Sequence, residues 1–339
     1  MFALVLLAPC ACASGDLRIG VFGLFHPQRL VVSSLPAQPV MVTMGSRRFV
    51  LREGQSASLV REGSQVRIQI HEESFLAAEV NVADPWGKGT DFQLSLPGKI
   101  TRRFRGRLDV RCLAEELAPV VEMNLETAVA SAVAAESAPG ASLEALKAQA
   151  VATRSYYLAS PRRHRNFDFC DTTHCQFLRG TPDSLPAQAA AATRGMVLMY
   201  EGAVIPALFT GSCGGRTRTL AEVRLAPSGY PYFSVPCDFC RQHAAHWSAR
   251  LDREEAAALA SHSEGDRLRL GRILGWDAVP GNNYELIGEG EVVRVEGSGQ
   301  GHGVGLCQLG AAGMAGQGFG FQAILAHYYP NTVLGTPDH

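Results

Sequence analysis

The sequence lacks an excess of charge of either sign: over 339 residues the formal net charge is −1, and charged side chains make up 19% of the total. Nucleic-acid recognition normally shows as a clustered basic excess, so that class is set aside. Beyond the first residues no segment approaches the roughly 18 uninterrupted apolar residues of a membrane-spanning helix. Internal repeats and low-complexity linkers are also missing. The glycine-rich stretch from Gly299 to Gly305 ends without the Gly-Lys-Ser/Thr of a phosphate loop. It also lacks the later acidic residue of a dinucleotide fingerprint in a βαβ unit. What remains is 46% hydrophobic, enough to bury the cores of one large or two moderate globular domains.

Residues 1–13 form an uncharged apolar run ending in Ala11-Cys12-Ala13, followed by Ser14-Gly15-Asp16. An apolar stretch before an A-x-A site reads as a signal peptide, although the usual positive start is missing. The product is expected to be exported, periplasmic or associated with the cell wall, in a compartment where disulfides form. Leu7-Ala8-Pro9 before Cys10 leaves a lipid anchor as the second reading.

From Leu17 to about Val110 the pattern is short, β-branched and alternating, as in Val40-Met-Val-Thr and Val66-Arg-Ile-Gln-Ile, with Pro, Gly, Ser or charged breaks. At Leu125 the period becomes helical and alanine abundant. Helices are expected over Leu125 to Ser137, over Leu143 to Ala159 with Ser142 as N-cap, after Pro186, and over Phe321 to Tyr329. The fold class is α+β. A β-rich region over residues 14–95 precedes a mixed helical and strand domain over residues 96–335.

Projected at about 100° per residue, the first helix puts Leu125, Ala128, Val129, Ala132 and Val133 on one stripe, with Glu136 inside it. A carboxyl group there is partly desolvated, which raises its pKa towards the range of a general acid. The alternative is that Glu136, in the last turn before Pro139-Gly140, reaches solvent. In the second helix Lys147 and Arg154 fall within the apolar stripe of Leu143, Leu146, Ala150, Val151, Tyr157 and Leu158. Two cations on such a face suggest a cleft.

The chain has nine cysteines. With Cys10 and Cys12 set aside in the signal, the odd remainder argues against a complete disulfide framework. His164, Cys170, His174 and Cys175 match the donor mix of a closed tetrahedral zinc site, which would be structural because no position is left for an activated water. A Cys170–Cys175 disulfide is equally compatible with the spacing. Cys237-x-x-Cys240-x-x-His243-x-x-His246 allows a second zinc site, with Cys213, or a disulfide. In Gly299-Gln-Gly-His-Gly-Val-Gly-Leu-Cys-Gln308, His302 and Gln308 stand in a loop with little side-chain bulk, able to approach an extended ligand or simply to turn tightly.

Several segments resemble one family, in the family's order: Leu143-Glu-Ala-Leu-Lys-Ala-Gln-Ala-Val-Ala-Thr-Arg-Ser-Tyr, Cys170-Asp-Thr-Thr-His-Cys-Gln, Gly211-Ser-Cys-Gly-Gly, Gly301-His-Gly-Val-Gly-Leu-Cys-Gln-Leu-Gly-Ala and His327-Tyr-Tyr-Pro. They resemble the SpoIID/LytB proteins of sporulation and cell-wall turnover, from about Pro97 to Leu334. The resemblance implies a lytic transglycosylase that cleaves N-acetylmuramate–N-acetylglucosamine strands of peptidoglycan, with peptide-stripped glycan as one candidate substrate. Glu136 matches the family's single acid/base, and the products end in 1,6-anhydromuramate. It implies zinc at His164, Cys170, His174 and Cys175, and glycan contacts from Arg154, Gln176, His302 and Gln308. Ser137 replaces the family's methionine, and Cys307 stands at a usual serine. The competing implication is a non-catalytic, glycan-binding amidase enhancer that works beside an N-acetylmuramoyl-L-alanine amidase. A zinc hydrolase is a third possibility.

Overall fold

The alternation of the first hundred residues becomes a curled β-structure because one face of each strand is apolar. Val40, Val42 and Met44, Val66, Ile68 and Ile70, and Phe92, Leu94 and Leu96 all point inward and are buried. The computed structural model describes residues 16–337 except 139, 161, 181–183, 227 and 289, so the signal segment expected over residues 1–13 lies outside the described residues. The strands before the first helix are β1 (Leu17–Gly20), β2 (Arg29–Ser34), β3 (Val40–Met44), β4 (Arg47–Leu51), β5 (Ser56–Glu62) and β6 (Gln65–Ile70). They continue with β7 (Glu73–Ala77), β8 (Glu79–Ala83), β9 (Thr90–Leu96), β10 (Ile100–Leu113) and β11 (Glu116–Met123).

One long strand belongs to two sheets. The first half of β10, up to Gly106, pairs with β9, and the second half pairs with β11 on one side and β8 on the other. The changeover residue Gly106 has φ 153°, and a Cβ there would sit 2.2 Å from the Glu122 carbonyl oxygen. A side chain is therefore excluded where the strand bends. β10 carries one sheet onward through β9, β2, β5, β6 and β7, and the other through β11 and β1 and through β8, β3 and β4. A short strand β12 (Phe169–Cys170) adds in parallel to β1.

The helical part begins where expected. Asn124 caps α1 (Leu125–Glu136) by accepting a hydrogen bond from the Glu126 N–H at 3.0 Å, and α2 covers Leu143–Ala159. Then come α3 (Leu185–Ala192), α4 (Asp238–His243), α5 (Arg253–Leu259), α6 (Glu264–Leu274), α7 (Gln308–Gly316) and α8 (Phe321–Tyr328). Strands and helices are largely segregated along the chain, which makes the fold α+β.

Three apolar clusters result. The first joins the β-structure to α1 and α3, with Leu146, Ala150 and Tyr157 of α2. The second packs Ala145, Ala148, Val151 and Ala152 of α2 against Ile324 and Leu325 of α8 and Ala311 of α7. α2 is thus enclosed on both sides and runs between two cores, which its alanine-rich composition permits. A smaller third cluster, with Leu251, Leu259, Leu270 and Val295, lies in the lobe formed by α5, α6 and the strands His246–Asp252, Tyr284–Ile287 and Val292–Ser298.

Candidate active site and cysteine clusters

Glu136 ends α1 at the point where the chain turns out of the first core. Its Oε1 accepts a hydrogen bond from the Phe177 backbone N–H at 2.6 Å. Its own carbonyl oxygen accepts from Gln308 Nε2 at 2.6 Å. Two segments far apart in sequence therefore grip this residue, one at the carboxylate and one at the backbone. Burial pushes the Glu136 carboxyl above its ordinary value, and the Phe177 N–H, which favours the ionised form, only partly offsets this. A carboxyl group with a raised pKa can arrive protonated and leave ionised near neutral pH, as a general acid that becomes a base must do.

Beside Glu136 lies a small pocket lined by Ser137, Ala141, Leu146, Gln149 and Gln308 among others. Several buried polar atoms here have no protein partner: Ser137 Oγ and Gln149 Nε2 by the pocket, and both amide atoms of Gln176 next to Phe177. A buried amide without a partner costs about 1–3 kcal/mol. Groups of this kind suit a hydroxyl-rich or amide-bearing ligand. Gln308 and Gln176 thus flank the Glu136 region, Gln308 at 9% exposure and Gln176 at 2%.

Arg154 does not lie in a cleft. Its side chain is fully buried and forms a fork to both Glu126 oxygens, Nε to Oε1 at 2.8 Å and Nη2 to Oε2 at 2.6 Å. The remaining donors reach the carbonyls of Met196 at 3.0 Å and Ala190 at 3.2 Å. In place of the cleft suggested by two cations on one stripe, α2 is enclosed on both sides, and Arg154 ties α1, α2, α3 and Met196, just before the strand Val197–Tyr200, together. A guanidinium with its donors engaged in this way has no free face for a glycan. Lys147 pairs with Glu144 at 2.6 Å one turn away.

His302 is half-buried, and its Nδ1 accepts from the Val304 N–H at 3.0 Å. Burial holds its imidazole below the ordinary value, and the charged groups acting on it are Glu264 and Arg267 rather than Glu136. The structure thus places it within electrostatic reach of the α6 residues Glu264 and Arg267. The surrounding glycines serve the chain's own packing: a Cβ on Gly301 would meet Thr210 Oγ1 at 2.5 Å, and one on Gly305 the Leu208 carbonyl at 1.9 Å. The loop turns tightly and leads into the strand Leu306–Cys307, which pairs in parallel with Phe209–Thr210.

The first cysteine–histidine cluster does converge. The donor atoms of His164, Cys170, His174 and Cys175 all lie within 4.8 Å of one another, with His164 Nε2 at 3.4 Å from Cys175 Sγ and His174 Nδ1 at 3.5 Å from the same sulfur. Two imidazoles and two thiols at this separation fit a closed zinc sphere, and zinc would supply loop rigidity rather than an activated water. The loop is also anchored from outside. Asp171 Oδ2 accepts from the Phe22 N–H at 3.0 Å and from Arg102 at 2.8 Å, and Phe177, two residues past Cys175, holds Glu136.

Four further thiols, Cys213, Cys237, Cys240 and Cys307, are all buried, and their sulfurs also lie within 4.8 Å of one another. The sequence shows Cys237 and Cys240 as a pair and allows Cys213 beside them. Cys307 enters only through the fold, because the strand Leu306–Cys307 pairs in parallel with Phe209–Thr210 and so brings it to the Cys213 turn. His243 and His246 are not in this cluster; His243 Nδ1 instead hydrogen-bonds the Phe239 carbonyl at 2.8 Å.

At the end of α1 a half-buried glutamate is thus held by a residue just past the cysteine–histidine loop and by a glutamine that follows the glycine-rich loop. The model of the SpoIID family, stage II sporulation protein, matches residues 114–200, the span that carries Glu136 and the first cysteine–histidine cluster. An uncharacterized protein of Brachyspira hyodysenteriae is 29% identical over 245 residues, covering 62% of this chain and 66% of its own length. An amidase enhancer of Bacillus subtilis is 24% identical over 275 residues, covering 57% of this chain and 38% of its own. Residues 114–200 are thus similar to the SpoIID family, and a wider stretch of the chain shows a more distant likeness to an amidase enhancer. The chain spans less than two thirds of the length of these relatives.

Proposed function

We propose that this chain is an exported cell-wall protein that cleaves peptidoglycan glycan strands as a lytic transglycosylase, with Glu136 as its acid and then its base. The observation that supports this most directly is the Glu136 carboxyl: it is pushed up by burial, held by the Phe177 N–H, and flanked by buried amides that lack protein partners. In the first step Glu136 gives its proton to the glycosidic oxygen, and the bond from that oxygen to the muramate C1 breaks as oxocarbenium character develops. In the second, the muramate 6-hydroxyl bonds to C1 while its proton passes to the Glu136 carboxylate, closing the 1,6-anhydro ring. No water is consumed, so no second carboxylate is needed. Gln176, Gln149 and Gln308 supply donors and acceptors for sugar hydroxyl and acetamido groups, and Gln308 also fixes the Glu136 backbone.

A second reading rests on the likeness to a protein named amidase enhancer and on the small size of the pocket beside Glu136. In that reading the site holds glycan and stimulates a separate amidase without cutting. Wild type and Glu136→Gln, incubated with intact and peptide-stripped glycan strands, separate the two. Anhydromuramate ends from wild type alone support the transglycosylase. Glycan binding by both proteins with no anhydro ends from either sinks it and leaves the enhancer.

A further inference from the structure

We propose that Cys213, Cys237, Cys240 and Cys307 form a tetrathiolate site for a single soft divalent metal ion, zinc being the natural occupant, distinct from the His164–Cys175 cluster. The inference does not depend on the proposed activity.

The donor set comes first. Four sulfurs from three separate segments, all within 4.8 Å of one another, match the spacing that a tetrahedral ion with metal–sulfur bonds of about 2.3 Å imposes on its ligands. An iron–sulfur cluster inserts several atoms between its thiolates and requires a wider cage. Two disulfides would draw the sulfurs into separate pairs, whereas here each sulfur lies close to all three others.

The second argument is the surroundings of the sulfurs. Burying thiolates is costly unless hydrogen-bond donors face them. The Gly214 N–H points at Cys240 Sγ at 3.2 Å, and the N–H groups of Cys213 and Gly310 point at Cys307 Sγ at 3.4 and 3.3 Å. The Tyr328 hydroxyl lies 3.2 Å from Cys237 Sγ. Three of the four sulfurs thus face N–H or O–H groups that can offset the cost of burying thiolate charge. Room is kept for this arrangement: a Cβ on Gly310 would come within 2.3 Å of Cys237 Sγ. A redox role for the Cys237-x-x-Cys240 pair would need an exposed attacking thiol, but Cys237 is 4% and Cys240 0% exposed. Among elements, the site joins the Cys213 turn to the start of α4 and, through Cys307, to the N-terminus of α7.

The test uses the full-length chain, produced with zinc and purified without chelator, beside a His164→Ala/His174→Ala variant in which all four of these cysteines remain. Elemental analysis is expected to give about two zinc ions per wild-type chain and about one in the variant. Cobalt loaded into the variant should show the intense sulfur-to-metal charge-transfer and d–d bands of a tetrathiolate, and Cys213→Ser/Cys240→Ser in the same background should abolish them. The result that overturns the inference is a His variant without stoichiometric metal. Peptide mapping under non-reducing conditions that finds the four cysteines in disulfides, or native alkylation that modifies all four as free thiols, overturns it equally. Should the His variant fail to fold, wild type decides: about one metal per chain and no tetrathiolate spectrum refutes the site.

Discussion

At the scale of single residues, Glu136 and Arg154 are both ionisable groups on helical apolar stripes, yet they meet opposite ends. Arg154 finds a carboxylate partner inside the protein, and Glu136 finds only one N–H. Truncating Arg154 therefore leaves the half-buried Glu126 without its counter-charge and opens a cavity where a fully buried guanidinium stood. Arg154→Ala is expected to cost about 3–5 kcal/mol in denaturant unfolding, and Arg154→Lys to recover only part of it, since an ammonium cannot replace the fork. A glycan-binding role would instead lower substrate affinity while stability stayed near wild type. For Glu136 the sign runs the other way from an ordinary ion-paired acid. Its folded-state pKa is raised above the ordinary 4.5, so the folded protein holds this proton more tightly than the unfolded chain does. Its stabilising contribution is full below pH 4.5 and is lost as pH rises through the raised value. Unfolding free energies measured across that window should fall more steeply in wild type than in Glu136→Gln; parallel curves would show that the carboxyl is not perturbed.

At the scale of elements, the acid is positioned by the starts and ends of segments rather than by helix interiors. Gln308, the first residue of α7, reaches back to the last residue of α1. Gln308→Ala removes a hydrogen bond to the Glu136 carbonyl and a longer one to Gln149, together worth about 1–2 kcal/mol, so the melting temperature should move by only a few degrees. Turnover of glycan should drop far more, up to about 100-fold, because a small displacement of the acid is heavily penalised in a reaction that depends on geometry. An equal loss of stability and activity would argue against a positioning role. The elements themselves were readable in very different degrees. The bounds of α2 follow from the chain, because its alanine-rich run is long; Ser142 stands at the N-cap position, but its side chain makes no capping hydrogen bond. The alternation of Val40–Met44 and Val66–Ile70 likewise needs no tertiary information. By contrast, α4 to α6 are short and polar and give only a vague helical signal. The stripe containing Arg154 pointed to a cleft because a helix buried on both sides has no single apolar face to read. Neither Gln149 as a pocket residue nor Cys307 beside Cys213 had any local signal, since each depends on a pairing that spans much of the chain.

At the scale of the whole molecule, each of the two cysteine clusters is linked to the acid through a neighbouring residue. The His164–Cys175 loop leads into Phe177, which holds the carboxylate, and Cys307 precedes Gln308, which holds the backbone. Both lie against cores that α2 shares, so this part of the molecule should open as one cooperative unit. The lobe built on α5 and α6 is different. Its core is the smallest of the three, and it is tied to the rest largely by polar contacts, such as the Arg218–Asn283 hydrogen bond at 2.8 Å, the Glu264 N–H to the Val223 carbonyl at 2.9 Å and the bridge between Gly281 and Gly301. Local stability follows buried apolar contact, so this lobe should open at a lower free energy than α2. Native-state hydrogen exchange offers a direct check: amides of α5, α6 and the strand Val292–Ser298 should exchange through a sub-global opening, while those of α2 exchange only on global unfolding. Equal protection in both regions would mean that the third core is coupled to the other two more tightly than its small size indicates.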